Sequence, residues 1–86
     1  MVNNTTLDDS EAKEICKAIV HGTRKDRIAA QFDTNLVTVE RLEIDNALSG
    51  SSLIFAEYLQ GRSTKVLAKK YKVTQQVVKN IAEFGL

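Results

Sequence analysis

Ala12, Ile15, Cys16, Ile19 and Val20 follow the i, i+3, i+4 spacing that gathers side chains on one face of a helix. Just upstream, Asp8 with Glu11 three residues later makes a capping box, and Leu7 is placed to staple onto Ala12. Gly22 ends the segment, since a residue free to turn left-handed closes a helix at little steric cost. The pattern returns at Ile54, Phe55, Tyr58 and Leu59, again followed by a glycine, Gly61. Short second helices are expected over 25–32 and 64–71, brief turns at "DTN" and "KVT", and third helices over 36–48 and 75–84. The small, polar "SGSS" at 49–52 is expected to link the two halves.

The halves are copies. Residues 15–42 align with 54–81 at an offset of 54 − 15 = 39, with four of 28 positions identical: Ile15/Ile54, Gly22/Gly61, Ala29/Ala68 and Val39/Val78. Apolar character is kept more widely, at Cys16/Phe55, Ile19/Tyr58, Val20/Leu59, Ile28/Leu67, Phe32/Tyr71 and Leu42/Ile81. A unit of this size lies near the limit of about 40 residues below which chains seldom fold unaided, so the two copies are expected to share a core. The predicted fold is all-α, one compact domain of two tandem three-helix units, 7–48 and 53–86.

Composition agrees and removes other classes. With 86 residues, 43% apolar, 6% aromatic and neither proline nor tryptophan, a sandwich or barrel is disfavoured. The lone Cys16 has no disulfide partner in the chain and is expected as a small core residue; one histidine leaves no zinc ligand set. His21 is expected at a helix end on the surface, and Tyr58 and Tyr71 with rings inside and hydroxyls wet. The longest apolar run is "LIFA", far short of a membrane span of about 20 residues, and the acidic N-terminus is unlike a signal peptide; the expected location is the cytoplasm. No phosphate loop, metal cluster or nucleophile arrangement is visible, so neither catalysis nor a cofactor is expected. Charge is uneven: residues 1–46 sum to 6 − 9 = −3, residues 47–86 to 6 − 2 = +4. The second half is the one suited to a polyanion.

The stretches "IAAQFDTNLVTVERL" (28–42) and "LAKKYKVTQQVVKNI" (67–81) resemble the helix-turn-helix of DNA-binding regulators, recombinases and transposases. Ile28, Ala29, Phe32, Val39 and Leu42 take the family's apolar and small positions in one copy, and Leu67, Ala68, Tyr71, Val78 and Ile81 in the other. The alanine lets the two helices cross closely. Two features depart from the family: Asp33 and Lys72 stand where its turn usually has glycine, and Thr34 where it has an apolar residue. Lysine tolerates a left-handed backbone poorly, so the second turn is expected to be strained or differently shaped.

The resemblance implies double-stranded DNA as partner, with the third helix of a unit entering the major groove. In the second unit, burying Val78 and Ile81 leaves Gln76, Lys79, Asn80 and Glu83 outside, with Thr74 and Gln75 at the tip. Glutamine and asparagine suit an adenine edge and lysine a guanine, so Thr74, Gln75, Gln76, Lys79 and Asn80 are the candidate base readers. Arg62, Ser63, Thr64, Lys65, Lys69, Lys70 and Lys72 are the candidate phosphate contacts. The first unit differs, because at about 100° per residue Val37, Ile44 and Leu48 form a second apolar stripe. That stripe is expected to pack between the copies, with a second subunit or another protein as the alternatives. Two functions result: a small DNA-binding regulatory or accessory protein of bacterial or phage type, or a helical module that binds and regulates another protein.

Overall fold

The computed structural model describes residues 8–86. They form six helices: α1 (Asp9–Val20), α2 (Lys25–Gln31), α3 (Leu36–Asp45), α4 (Ser51–Leu59), α5 (Thr64–Tyr71) and α6 (Gln75–Gly85), with no strand among the described residues. The fold is all-α. Leu7, and with it the expected staple, lies outside the described residues.

Short-range hydrogen bonds set the helix ends. Asp8 accepts from the Glu11 amide at 2.7 Å, Asn35 from that of Thr38 at 2.8 Å, Ser63 from that of Val66 at 3.2 Å and Thr74 from that of Val77 at 3.1 Å. Each occupies an orphan donor of a first helical turn; such a cap contributes about 1 kcal/mol. The C-termini of α1 to α5 close in left-handed turns. Beyond α1 and α4, Gly22 and Gly61 take φ 86° and 96°, and the next amides, of Thr23 and Arg62, donate back to Ala18 and Glu57. The α2 and α5 ends are built alike without glycine: Asp33 and Lys72 sit at φ 53° and 58°, and the amides of Thr34 and Val73 donate to the carbonyls of Ala29 and Ala68. The second turn therefore has the shape of the first, with a lysine held in a left-handed conformation.

A third non-glycine residue in that region, Ala47 at φ 56°, stops α3 at Asp45, three residues short of the expected end. The Leu48 amide donates to the Glu43 carbonyl and the Leu48 side chain turns fully into the core. The expected linker is also displaced: Ser51 and Ser52 belong to α4, and Gly50, left-handed at φ 71°, is its N-cap.

Within each half all three helices touch, α1 with α2 and α3, α2 with α3, and correspondingly α4 with α5 and α6, α5 with α6. One continuous core runs through both halves, from Ile15, Cys16, Ile19 and Val20 through Leu48, Ile54 and Phe55 to Leu67, Val78 and Ile81. Full burial of such side chains stabilises by about 1.5–3 kcal/mol each. Burial also pushes the Cys16 thiol up.

The junction is asymmetric. Helix α1 packs on α4 and α6, so α6 is held by α1, α4 and α5, whereas α3 is held by α1 and α2 alone. Gly85 lets α6 lie close on α4, since a Cβ there would stand 2.8 Å or less from three carbons of the Phe55 ring. His21, just past α1, bridges to this pair from the first half, its Nε2 2.7 Å from the Gly85 carbonyl oxygen and its ring stacked on Phe55 at 5.3 Å. It remains exposed, as expected, yet it joins the halves.

Candidate nucleic-acid interface

The two helices that resemble a helix-turn-helix in the second half are α5 and α6. Their packed sides are Leu67 and Ala68 against Val78, Ile81 and Ala82, all buried. Spacing then dictates the outer side. Lys65, Lys69 and Lys72 fall at i, i+4 and i+7 along α5 and its cap, and all three are exposed. On α6, Gln75, Gln76, Lys79, Asn80 and Glu83 are exposed.

The candidate phosphate contacts divide into tied and free. Glu57, on α4, receives the Lys70 ammonium at 2.9 Å and the Arg62 guanidinium at 3.2 Å, and accepts a hydrogen bond from the Tyr71 hydroxyl. The Tyr71 hydrogen bond first, then that from Lys70, hold the Glu57 carboxyl below the usual carboxylate range, and the same bond to Glu57 pushes the Tyr71 phenol up. Arg62 and Lys70 are thus spoken for by one carboxylate. Lys65, Lys69, Lys72 and Lys79 have no carboxylate within ion-pair distance among the described residues. Ser63 is the α5 cap, and Thr64, half-buried, donates from Oγ1 to Gln75 Oε1 at 3.4 Å, linking the starts of α5 and α6.

The candidate base readers divide in the same way. Thr74 caps α6. Gln76 donates its amide to Asn80 Oδ1 at 2.9 Å, so a donor of Gln76 and the side-chain oxygen of Asn80 are already engaged with each other. Asn80 also lines a cleft of about 630 Å³ with Lys13 and Lys17 of α1 and Phe84 of α6, which turns it toward the first half rather than toward the tip. Lys79 stands free between them on the exposed face.

The first half carries a different surface. Lys25 pairs with Glu43 at 2.8 Å across α2 and α3, and that hydrogen bond raises the Lys25 ammonium above its ordinary value. The expected stripe of Val37, Ile44 and Leu48 does not exist as one surface. Leu48 is fully buried, whereas Val37 and Ile44 are 64% and 71% exposed. The stripe assumed a helix running to residue 48, and the turn at Ala47 takes Leu48 off it. Leu48 joins the common core, whereas Val37 and Ile44 face out.

Sequence reasoning passed over Glu57 and the His21 bridge. A signal for the first existed: Glu57 is the only acidic residue between Asp45 and Glu83, amid five cations before Lys79.

No protein-family model matches this chain, and no match is found among curated proteins or among solved structures.

Proposed function

We propose that the chain is a small DNA-binding regulatory or accessory protein whose second half, α5–turn–α6, meets the duplex. The observation that carries this reading is the set of four exposed lysines without carboxylate partners among the described residues, Lys65, Lys69, Lys72 and Lys79, beside the exposed amides of Gln75 and Gln76. Close packing at Ala68 suits a positioning helix laid across a second helix, and α6 presents the amides and Lys79 that base edges accept. In this reading Arg62 and Lys70 contribute less than the free lysines, because Glu57 offsets part of their charge.

Titration with a mixed-sequence duplex over a range of salt tests it. Each neutralised phosphate contributes roughly −0.9 to the slope of log K against log salt, so four lysines give a slope of about −3 to −4. Lys69→Ala should weaken every sequence alike and make the slope shallower by about 1, while Gln76→Ala or Lys79→Ala should relax base preference. No association even at low salt rejects the reading.

A second function, a helical module that binds a protein, is favoured by the outward Val37 and Ile44. A charge placed at either position would then abolish partner binding and leave the fold intact.

A further inference from the structure

Helix α3 touches only α1 and α2. Its outward side is a shallow groove of about 340 Å³ lined by Val37, Glu40, Arg41, Ile44 and Asp45. Val37 and Ile44, seven residues apart, form its apolar ridge. At about 100° per residue, Glu40 and Arg41 stand on opposite flanks of that ridge, roughly 50° to either side. Neither belongs to an ion pair among the described residues. The outer face of α4, with Leu53, Ala56 and Leu59 exposed, is also apolar but carries no charge that would select a partner or an orientation.

The α3 face is complementary to itself in one arrangement. When two copies of a helix lie side by side and parallel, related by a two-fold axis along their length, the left flank of each meets the right flank of the other. Glu40 of one copy then meets Arg41 of the second at nearly the same height, and the reciprocal pair forms on the far side. Between them Val37 packs on Val37 and Ile44 on Ile44. In an antiparallel pair each flank meets itself, which sets Glu40 against Glu40 and Arg41 against Arg41. Sliding the antiparallel pair until Arg41 reaches Asp45 centres it on Glu43 and leaves Val37 uncovered.

We infer that the partner of this face is a second copy of the chain, joined through parallel α3 helices with Val37 and Ile44 as the apolar layers and Glu40–Arg41 as the reciprocal ion pairs. The inference does not rest on DNA binding. A single helix face buries far less than the roughly 1,200 Å² of a stable complex, so the dimer is weak and reversible.

Sedimentation equilibrium of the full chain without DNA, from about 10 µM to about 1 mM at low salt, tests the association across the range expected of so small a contact. The wild-type chain should pass from monomer toward dimer. Ile44→Asp, at an exposed position, should remain monomeric with unchanged helix content. Glu40→Arg alone and Arg41→Glu alone should each weaken association at least tenfold, and the double exchange Glu40→Arg/Arg41→Glu should restore it. An equimolar mixture of the two single variants should form mixed dimers. A chain monomeric over the whole range overturns the inference, and so do single variants that associate as well as wild type. A double exchange that fails to restore association overturns the parallel arrangement and with it the assignment. All these outcomes are independent of duplex titration, so a DNA-binding monomer would sink this inference and leave the DNA reading standing.

Discussion

Helices α3 and α6 hold the same place in their halves and carry different outer faces. Their first residues, N-caps and buried valines, Val39 and Val78, correspond at the 39-residue offset. The divergence lies in what surrounds them. Ala82 is buried in α6; its counterpart in α3 is Glu43, which reaches Lys25 of α2. One helix is therefore wedged among three others with its polar side outward. The other is held by two, with valine and isoleucine outward. The two halves thus share the contacts that join their three helices and differ in the faces they turn outward.

The sharpest way to break the contrast is on the two sides of the α3 terminus. Leu48→Ala should cost about 2–5 kcal/mol in urea unfolding, because a fully buried leucine leaves a cavity. Val37→Ala or Ile44→Ala should change stability by no more than about 0.5 kcal/mol. Equal losses at Leu48 and Ile44 would mean that α3 continues past Asp45 and that both face one interior. Next in size, Gly85→Ala should lose about 1–3 kcal/mol, since the added methyl meets the Phe55 ring where α6 crosses α4. The counterpart of Phe55 in the first half is Cys16, so no glycine is required at the matching end of α3.

The acidic limb of the stability profile separates the halves further. Glu57 is depressed in the folded chain, so its contribution is present above its unfolded value and lost as pH falls through the folded one. Tyr71, raised, contributes below its unfolded value, and that contribution is lost as pH rises through the folded one. Glu57→Gln should flatten both limbs, measured as urea midpoints across the pH range. An unchanged profile would mean that the cluster with Arg62, Lys70 and Tyr71 is not formed in solution. The smallest expected effect is a gain. Ala47→Gly and Lys72→Gly should each stabilise by up to about 1 kcal/mol, because glycine takes a left-handed turn without the Cβ penalty. Lys72→Gly should at the same time weaken duplex binding, which Ala47→Gly should not.

Local chemistry made most of the fold legible in the sequence. The cap at Asp8 and the glycines that end α1 and α4 act within a few residues and are readable as such, whereas Asn35 reads only as part of a turn, Ser63 as a phosphate contact and Thr74 as a base reader, although each caps a helix. Ala47 defeated that reasoning because it turns left-handed with no glycine to announce it; the wheel was carried past the true helix end and joined Leu48 to Val37 and Ile44. By composition "SGSS" reads as a connector, whereas Gly50 supplies the turn and the serines begin α4. In the candidate site, exposure of the lysines followed from periodicity. Which of them are free did not, because Glu57 reaches Lys70 and Tyr71 across 13 and 14 residues of chain, a separation that only tertiary packing closes.

In the proposed function the second half meets a duplex while the α3 face stays clear of it. Amide chemical-shift mapping of the labelled chain with a mixed-sequence duplex at low salt reads both at once. Perturbations should gather on α5 and the start of α6, around Lys65, Lys69, Lys72, Gln75, Gln76 and Lys79, and leave the resonances of Val37 and Ile44 in place. Perturbations centred on α2 and α3, or none at any duplex concentration, would contradict it.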